Sequence, residues 1–128
     1  MKFTVYGKPQ GKARPRFSNG HAYTPKSTVD YEKKVKQAYL AAGGMDFGTD
    51  SVTISITAEF KKAKSNTMTE PSLKPDGDNI AKIILDALNG VAYSDDKQVI
   101  HHSVTKVWAA DGIPKVVVEI ERIVHPIG

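Results

Sequence analysis

Apolar and polar residues alternate most plainly in "SVTISITAEF", residues 51–60, where Val52, Ile54, Ile56, Ala58 and Phe60 fall on one side and Ser51, Thr53, Ser55, Thr57 and Glu59 on the other. A period of two belongs to a strand with one face in the core and the other wet or lightly covered. A shorter alternation, Phe3 and Val5 within "KFTVY", marks a strand over residues 2–6. Residues 98–108 and 115–124 read as two further strands, the last marked by Val116, Val118 and Ile120, with a turn between them centred on Asp111 and Gly112. Elsewhere the period changes. Tyr31, Val35, Ala38, Tyr39 and Ala42 recur at offsets 0, 4, 7, 8 and 11, a helical stripe that "GG" at 43–44 stops. Ser27 as cap and Asp30 at the third helical position would form a capping box at its start. Ile80, Ile83, Ile84, Ala87 and Leu88, at offsets 0, 3, 4, 7 and 8, predict a second helix from about Asn79 to Leu88.

Two irregular segments separate these elements, at about 7–26 and 61–75. The first carries Gly7, Pro9, Gly11, Pro15, Gly20 and Pro25, which exclude a regular helix and leave room for a small hairpin turning at "SNG". Ordered loops of such length are unusual in a compact domain unless they have a function. The order strand, helix, strand, helix, strand, strand over 128 residues predicts a single α+β domain, a mixed β-sheet of about four strands with two main helices packed on it.

Charge adds a second layer. Lys and Arg number 18 against 14 acids, a formal +4, which is only a modest bias towards polyanions. The distribution says more. "GKPQGKARPR" gathers Lys8, Lys12, Arg14 and Arg16, and "FKKAKS" adds Lys61, Lys62 and Lys64, while Asp76, Asp78, Asp86, Asp95 and Asp96 form an acidic island. The absence of cysteine excludes disulfides, thiolate-bound metal and a cysteine nucleophile. No apolar segment approaches the roughly 20 residues that cross a bilayer, so a cytoplasmic protein without membrane contact is expected.

The acidic island surrounds the second helix. Lys82 and Asp86 fall opposite its apolar stripe, one turn apart, and Asp78 lies four residues before Lys82 on the same side. Asp78 reads as the N-cap, and Gly77 between Asp76 and Asp78 would let both carboxylates converge on one point. Asp95 or Asp96, on the turn leaving the helix, would supply a third. Two or three carboxylates from different elements suit Mg²⁺, which takes hard oxygen ligands and keeps several waters. Such a site would polarise a phosphate and activate a water against it, with Lys82 facing the developing negative charge or orienting the water. Each residue also has a plainer role open to it: a helix cap, a turn former, an acidic turn, a solvated lysine. The joint arrangement in a basic chain is what points to metal-assisted chemistry, and Asp86 is expected to pair with Lys82 as an ion-pair partner.

The stretch "KPDGDNIAKIILDALNGVAYSDDKQV" resembles the signature of the RusA family, small Mg²⁺-dependent Holliday junction resolvases of bacteria, phages and prophages. The shared pattern is an aspartate pair separated by one residue, then Asn, a helix carrying a lysine and "DAL", a glycine, an aromatic, and "DD". "GKPQGKARPR" and "YTPKSTVDYEKKV" resemble the basic opening of phage-type members, so the likeness spans nearly the whole chain. It implies catalytic roles for Asp76, Asp78, Lys82 and Asp96, and metal binding by the three acids, with Asp95 beside them. It further implies Mg²⁺, with Mn²⁺ able to substitute, and a homodimer that cuts two opposing strands of a four-way DNA junction. One departure stands out: Lys61 to Leu73 is longer and less arginine-dense than in the best-known members, which puts strand engagement and substrate selectivity in doubt.

DNA would be held through phosphates by Lys8, Lys12, Arg14 and Arg16 on the first loop, and by Lys61, Lys62, Lys64 and Lys74 on the second. Phe17, His21 and Tyr23 interleave with the first cluster and either stack on unpaired bases or pin the loop to the core. His21, His101, His102 and His125 show no ligand spacing, and adjacent histidines in a strand point to opposite faces. Two other functions remain open on the residues alone: a less selective nuclease of flaps and other branched DNA, and a branched-DNA-binding module that does not cut.

Overall fold

The computed structural model describes residues 1–124. Four strands, β1 (Lys2–Tyr6), β4 (Val52–Phe60), β5 (Val99–Trp108) and β6 (Lys115–Arg122), form one mixed sheet in the order β1-β6-β4-β5. β4 pairs parallel with β5 and antiparallel with β6, and β6 pairs antiparallel with β1. A separate hairpin, β2 (Arg16–Ser18) and β3 (His21–Tyr23), projects from the first basic loop. It turns at Asn19 and Gly20, both with positive φ (52° and 78°), as a two-residue hairpin loop requires. Two helices, α1 (Lys26–Ala41) and α2 (Gly77–Leu88), complete the α+β domain. No helix among the described residues is long and apolar enough to cross a membrane.

The core forms where the predicted periodicities meet. Val52, Ile54, Ile56, Ala58 and Phe60 of β4 are buried together with Phe3 and Val5 of β1 and Val116, Val118 and Ile120 of β6. Tyr31, Val35 and Tyr39 of α1 and Ile80, Ile83, Ile84, Ala87 and Leu88 of α2 are buried in the same cluster. At roughly 1.5–3 kcal/mol for each fully buried aliphatic side chain, the isoleucines and leucine of α2 hold that helix firmly on the rest of the domain.

Three local expectations need correction. α1 begins after Pro25, with no side-chain cap, so Ser27 and Asp30 form no capping box: the fixed φ of proline starts the helix two residues earlier. α2 begins at Gly77 with Asp76 as its N-cap, also without a side-chain cap bond, which leaves Asp78 inside the first turn. β6 ends at Arg122, short of the expected 124, and His125 lies outside the described residues.

Candidate active site

One side of α2 builds the site. Asp78, Ala81, Lys82, Leu85 and Asp86 recur at helical offsets 0, 3, 4, 7 and 8, and with Asp96 and His102 they line one pocket of about 300 Å³. Asp96 comes from a 3₁₀ turn, Asp96–Gln98, that follows α2. His102 comes from β5, where its pairing with Ile54 of β4 sets its side chain on the core side of the sheet.

The acidic turn is held rigidly from behind. The buried Tyr93 donates its hydroxyl to the Leu85 carbonyl at 2.8 Å, and burial followed by the charges of Asp96, Asp86 and Asp95 drives the phenol pKa up. Asp95 caps the turn: its carboxylate accepts the Lys97 N–H at 2.9 Å, and its own N–H donates to Gln98 Oε1 at 2.8 Å. Gln98 in turn donates to the carbonyls of Gly48 and Asp50, each at 2.8 Å, and is buried. Gln98→Ala removes these three bonds, each worth about 0.5–1.5 kcal/mol, while the Gly48 carbonyl keeps the Ser94 N–H at 3.0 Å. We expect it to cost about 2–3 kcal/mol in urea unfolding; a loss within about 0.5 kcal/mol, the scale of an ordinary surface substitution, would show that the turn is held by other contacts.

Charge around the pocket is partly compensated. Asp86 Oδ2 lies 3.5 Å from Lys82 Nζ and 3.2 Å from Lys12 Nζ, and Lys12 also meets Glu32 Oε1 at 3.2 Å. Burial opposes the Lys12 charge, yet its bonds to Glu32 and Asp86 hold its pKa above the ordinary value. Asp96 is raised: desolvation comes first, then its hydrogen bond to Asp95 and the charges of Asp95 and Asp86, with Lys82 opposing. The first basic loop is pinned beside the pocket. Lys12 N–H donates to the Asn79 carbonyl at 2.9 Å. A Cβ at Gly11 would come within 2.9 Å of Pro75 Cβ and Asn79 Cβ, so only glycine lets the loop lie this close to the start of α2.

A family described as Endodeoxyribonuclease RusA matches residues 6–121. The chain belongs to the RusA family. It is also 32% identical over 141 aligned residues to the uncharacterized protein YqaN of Bacillus subtilis (strain 168), covering 96% of each chain. RusA membership makes this a chain of an endodeoxyribonuclease family, with the pocket on α2 as the candidate for its chemistry.

Among the RusA signature residues, Asp78, Lys82 and Asp96 line the pocket, whereas Asp76 does not. Asp76 stands in extended backbone at the N-cap (φ −65°, ψ 150°), and Asp78 has already entered the helical turn. Among the described residues, no three acidic or histidine side chains form a group able to hold a metal ion as they stand. Of the adjacent pair, Asp95 caps the turn and Asp96 lines the pocket. Asp86 pairs with Lys82 as expected and, in addition, with Lys12.

The cations divide into two kinds. Lys12 is tied to Glu32 and Asp86, so its carboxylate partners compete with the phosphate contact expected of it. Lys8, Arg14, Arg16, Lys61, Lys62, Lys64 and Lys74 are exposed. Arg14 shares a second concavity with Lys12, Asn79 and Lys82, so the first loop borders the acidic pocket, and Lys8 shares a third with Lys74 and Pro75 of the second loop. Phe17 (76% exposed) and Tyr23 (47%) stand on the projecting hairpin and do not pin the loop to the core. His102 was missed by sequence reasoning. Counting alternate residues back from Trp108 would have found it, because 102, 104, 106 and 108 oppose the buried face of β4 in register.

Proposed function

We propose that this RusA-family chain is a Mg²⁺-dependent endodeoxyribonuclease that resolves four-way DNA junctions as a homodimer, with Mn²⁺ able to substitute. The observation that carries this reading is the single pocket shared by Asp78, Lys82 and Asp96 beneath a basic loop. The donor set suits the cation. Mg²⁺ is commonly held through one or two carboxylates, with waters and phosphate oxygens completing the octahedron, so Asp78 and Asp96 suffice, with Asp76 two residues from Asp78 in reserve. Asp96 is raised first by desolvation and then by Asp95 and Asp86, and a bound cation would offset the repulsion among these carboxylates. When bound there, Mg²⁺ supplies polarisation of the phosphate and a lowered pKa for the attacking water.

The protein groups supply position and charge. Asp86 holds Lys82 over the pocket, and the Lys82 side chain, 62% exposed, keeps its ammonium available to a phosphate oxygen as negative charge develops. His102 offers a ring nitrogen to the same substrate. The exposed cations of the two loops bind phosphates without reading sequence, which makes affinity fall with salt. Phe17, exposed on its hairpin, provides a flat face for a base exposed at the branch. A four-way junction has two-fold symmetry, and a two-fold dimer would bring one pocket to each of two opposing strands.

The deciding experiment compares Mg²⁺-dependent cutting of synthetic four-way junction, flap and linear duplex. Paired symmetric cuts confined to the junction are expected; equal cutting of all three would refute junction selectivity, and binding without cutting would refute the enzyme. In the same assay Lys82→Ala is expected to slow cleavage about 10²–10³-fold, the scale of losing one preorganised electrostatic stabiliser, while junction affinity changes little. Wild-type rates from that variant would remove Lys82 from the chemistry.

A further inference from the structure

A further concavity, of about 380 Å³, lies away from the acids, at the far end of β5. Its walls are flat and apolar: Pro9, Phe60, Leu73, Trp108 and Pro114. Lys8 and Lys61 stand at its edge, Lys62 Nζ lies 5.7 Å from the Trp108 ring centroid, and Lys106, which donates to the Leu73 carbonyl, lies beneath with its Nζ 5.5 Å from the Phe60 centroid, leaving Lys8, Lys61 and Lys62 as the cations open to a ligand. No acidic residue lines it. Resting on the nuclease reading above, we propose that this pocket receives an unpaired nucleobase of the DNA strand that runs to the acidic pocket.

Charge complementarity and continuity select that occupant. A nucleotide brings a flat π face, which stacks on aromatic and prolyl surfaces, and an anionic backbone that the surrounding ammonium groups meet. A purely apolar ligand would leave the lysines unused. Lys8 and Pro9 also line the concavity that contains Lys74 and Pro75, and the same loop continues through Lys12 and Arg14 to the concavity that holds Lys82 of the acidic pocket, so a basic path joins the two sites. The register gives the span. His102 of the acidic pocket and Trp108 of the apolar one lie on the same face of β5 six residues apart, about 20 Å at the rise of a strand. That distance is about six nucleotide steps of 3.4 Å in B-DNA, so the base received is several positions from the cut. The Asn66 carbonyl oxygen already accepts the Met68 N–H at 2.8 Å, which leaves the amide NH₂ to donate to an acceptor on the base edge.

Trp108 is the chain's one tryptophan, so the pocket reports on itself. The Asp78→Asn variant, which keeps the DNA intact, is titrated with an unlabelled four-way junction while tryptophan emission is followed, and binding is measured separately by anisotropy of a labelled junction. Abasic sites are then walked along one strand, and the titration is repeated with Ala63→Phe, which narrows the pocket from its exposed rim. The expected result is a change in Trp108 emission that vanishes for abasic sites in one short window, several nucleotides from the cut, and in Ala63→Phe, each with about tenfold weaker binding, the scale of one base stack. Binding with unchanged emission, or an emission change that survives every abasic position, overturns the base pocket and leaves the nuclease reading intact. Failure of both the variant and the wild type in EDTA to bind any DNA overturns both.

Discussion

Asp78→Asn is expected to bind a four-way junction as tightly as the wild type and to leave it uncut, with the rate lowered by at least about 10²-fold. The exchange keeps the size and shape of the side chain and removes one negative charge from the pocket shared with Lys82, Asp86 and Asp96. Asp78 is exposed and makes no capping bond, so folding depends little on it; an acid in the first turn of α2 contributes about 0.3–1 kcal/mol through the helix dipole. Lost cutting therefore cannot be put down to an unfolded chain, and circular dichroism with urea unfolding of the same preparation checks that. Affinity is carried by lysines and arginines on the loops, which the substitution leaves untouched, and the salt dependence of binding should match the wild type. Cutting by Asp78→Asn at the wild-type rate would mean that the reaction takes place away from this pocket.

The sheet and both helices were legible in the sequence because each buried face repeats with its own period. Ile54, Ile56 and Ala58 alternate, and Ile80, Ile83, Ile84, Ala87 and Leu88 recur every third or fourth position; burial follows both patterns. β5 was legible as a strand but not in its role. β5 is an edge strand with no fully buried residue and weak alternation, so the facing of His102, Val104, Lys106 and Trp108 emerges only from its register with β4. Helix starts were misjudged because Ser27 and Asp78 have the chemistry of caps, while backbone geometry gave the positions to Pro25 and Asp76. Lys12 looked like any other loop cation. Its pairing with Glu32 of α1 and Asp86 of α2 joins residues 20 and 74 positions away, a contact that no local pattern encodes.

Asp95 and Asp96 are adjacent, and their substitutions are expected to have opposite effects on stability. The Lys97 N–H is the first cause that lowers the Asp95 pKa, so its charge contributes stability that is present above the unfolded-state pKa and lost as pH falls through the lower, folded value. Asp96 is raised, first by desolvation and then by Asp95 and Asp86, so what it contributes is present only below its unfolded-state pKa and is lost as pH rises through the folded value. At pH 7 Asp95→Ala should lower the urea midpoint, and the deficit should shrink as the medium becomes more acidic than the ordinary aspartate pKa of about 3.9. Asp96→Asn should leave the midpoint at pH 7 unchanged or higher and lose that advantage under the same acid conditions, because the wild-type carboxyl is then neutral too. Activity should sort the other way. Asp96→Asn removes a carboxylate that lines the pocket and should abolish Mg²⁺-dependent cutting, whereas Asp95→Ala, measured where it remains folded, should still cut. A less stable Asp96→Asn that still cleaves junctions would reverse the two roles, making Asp96 the structural acid and Asp95 the one that serves the reaction.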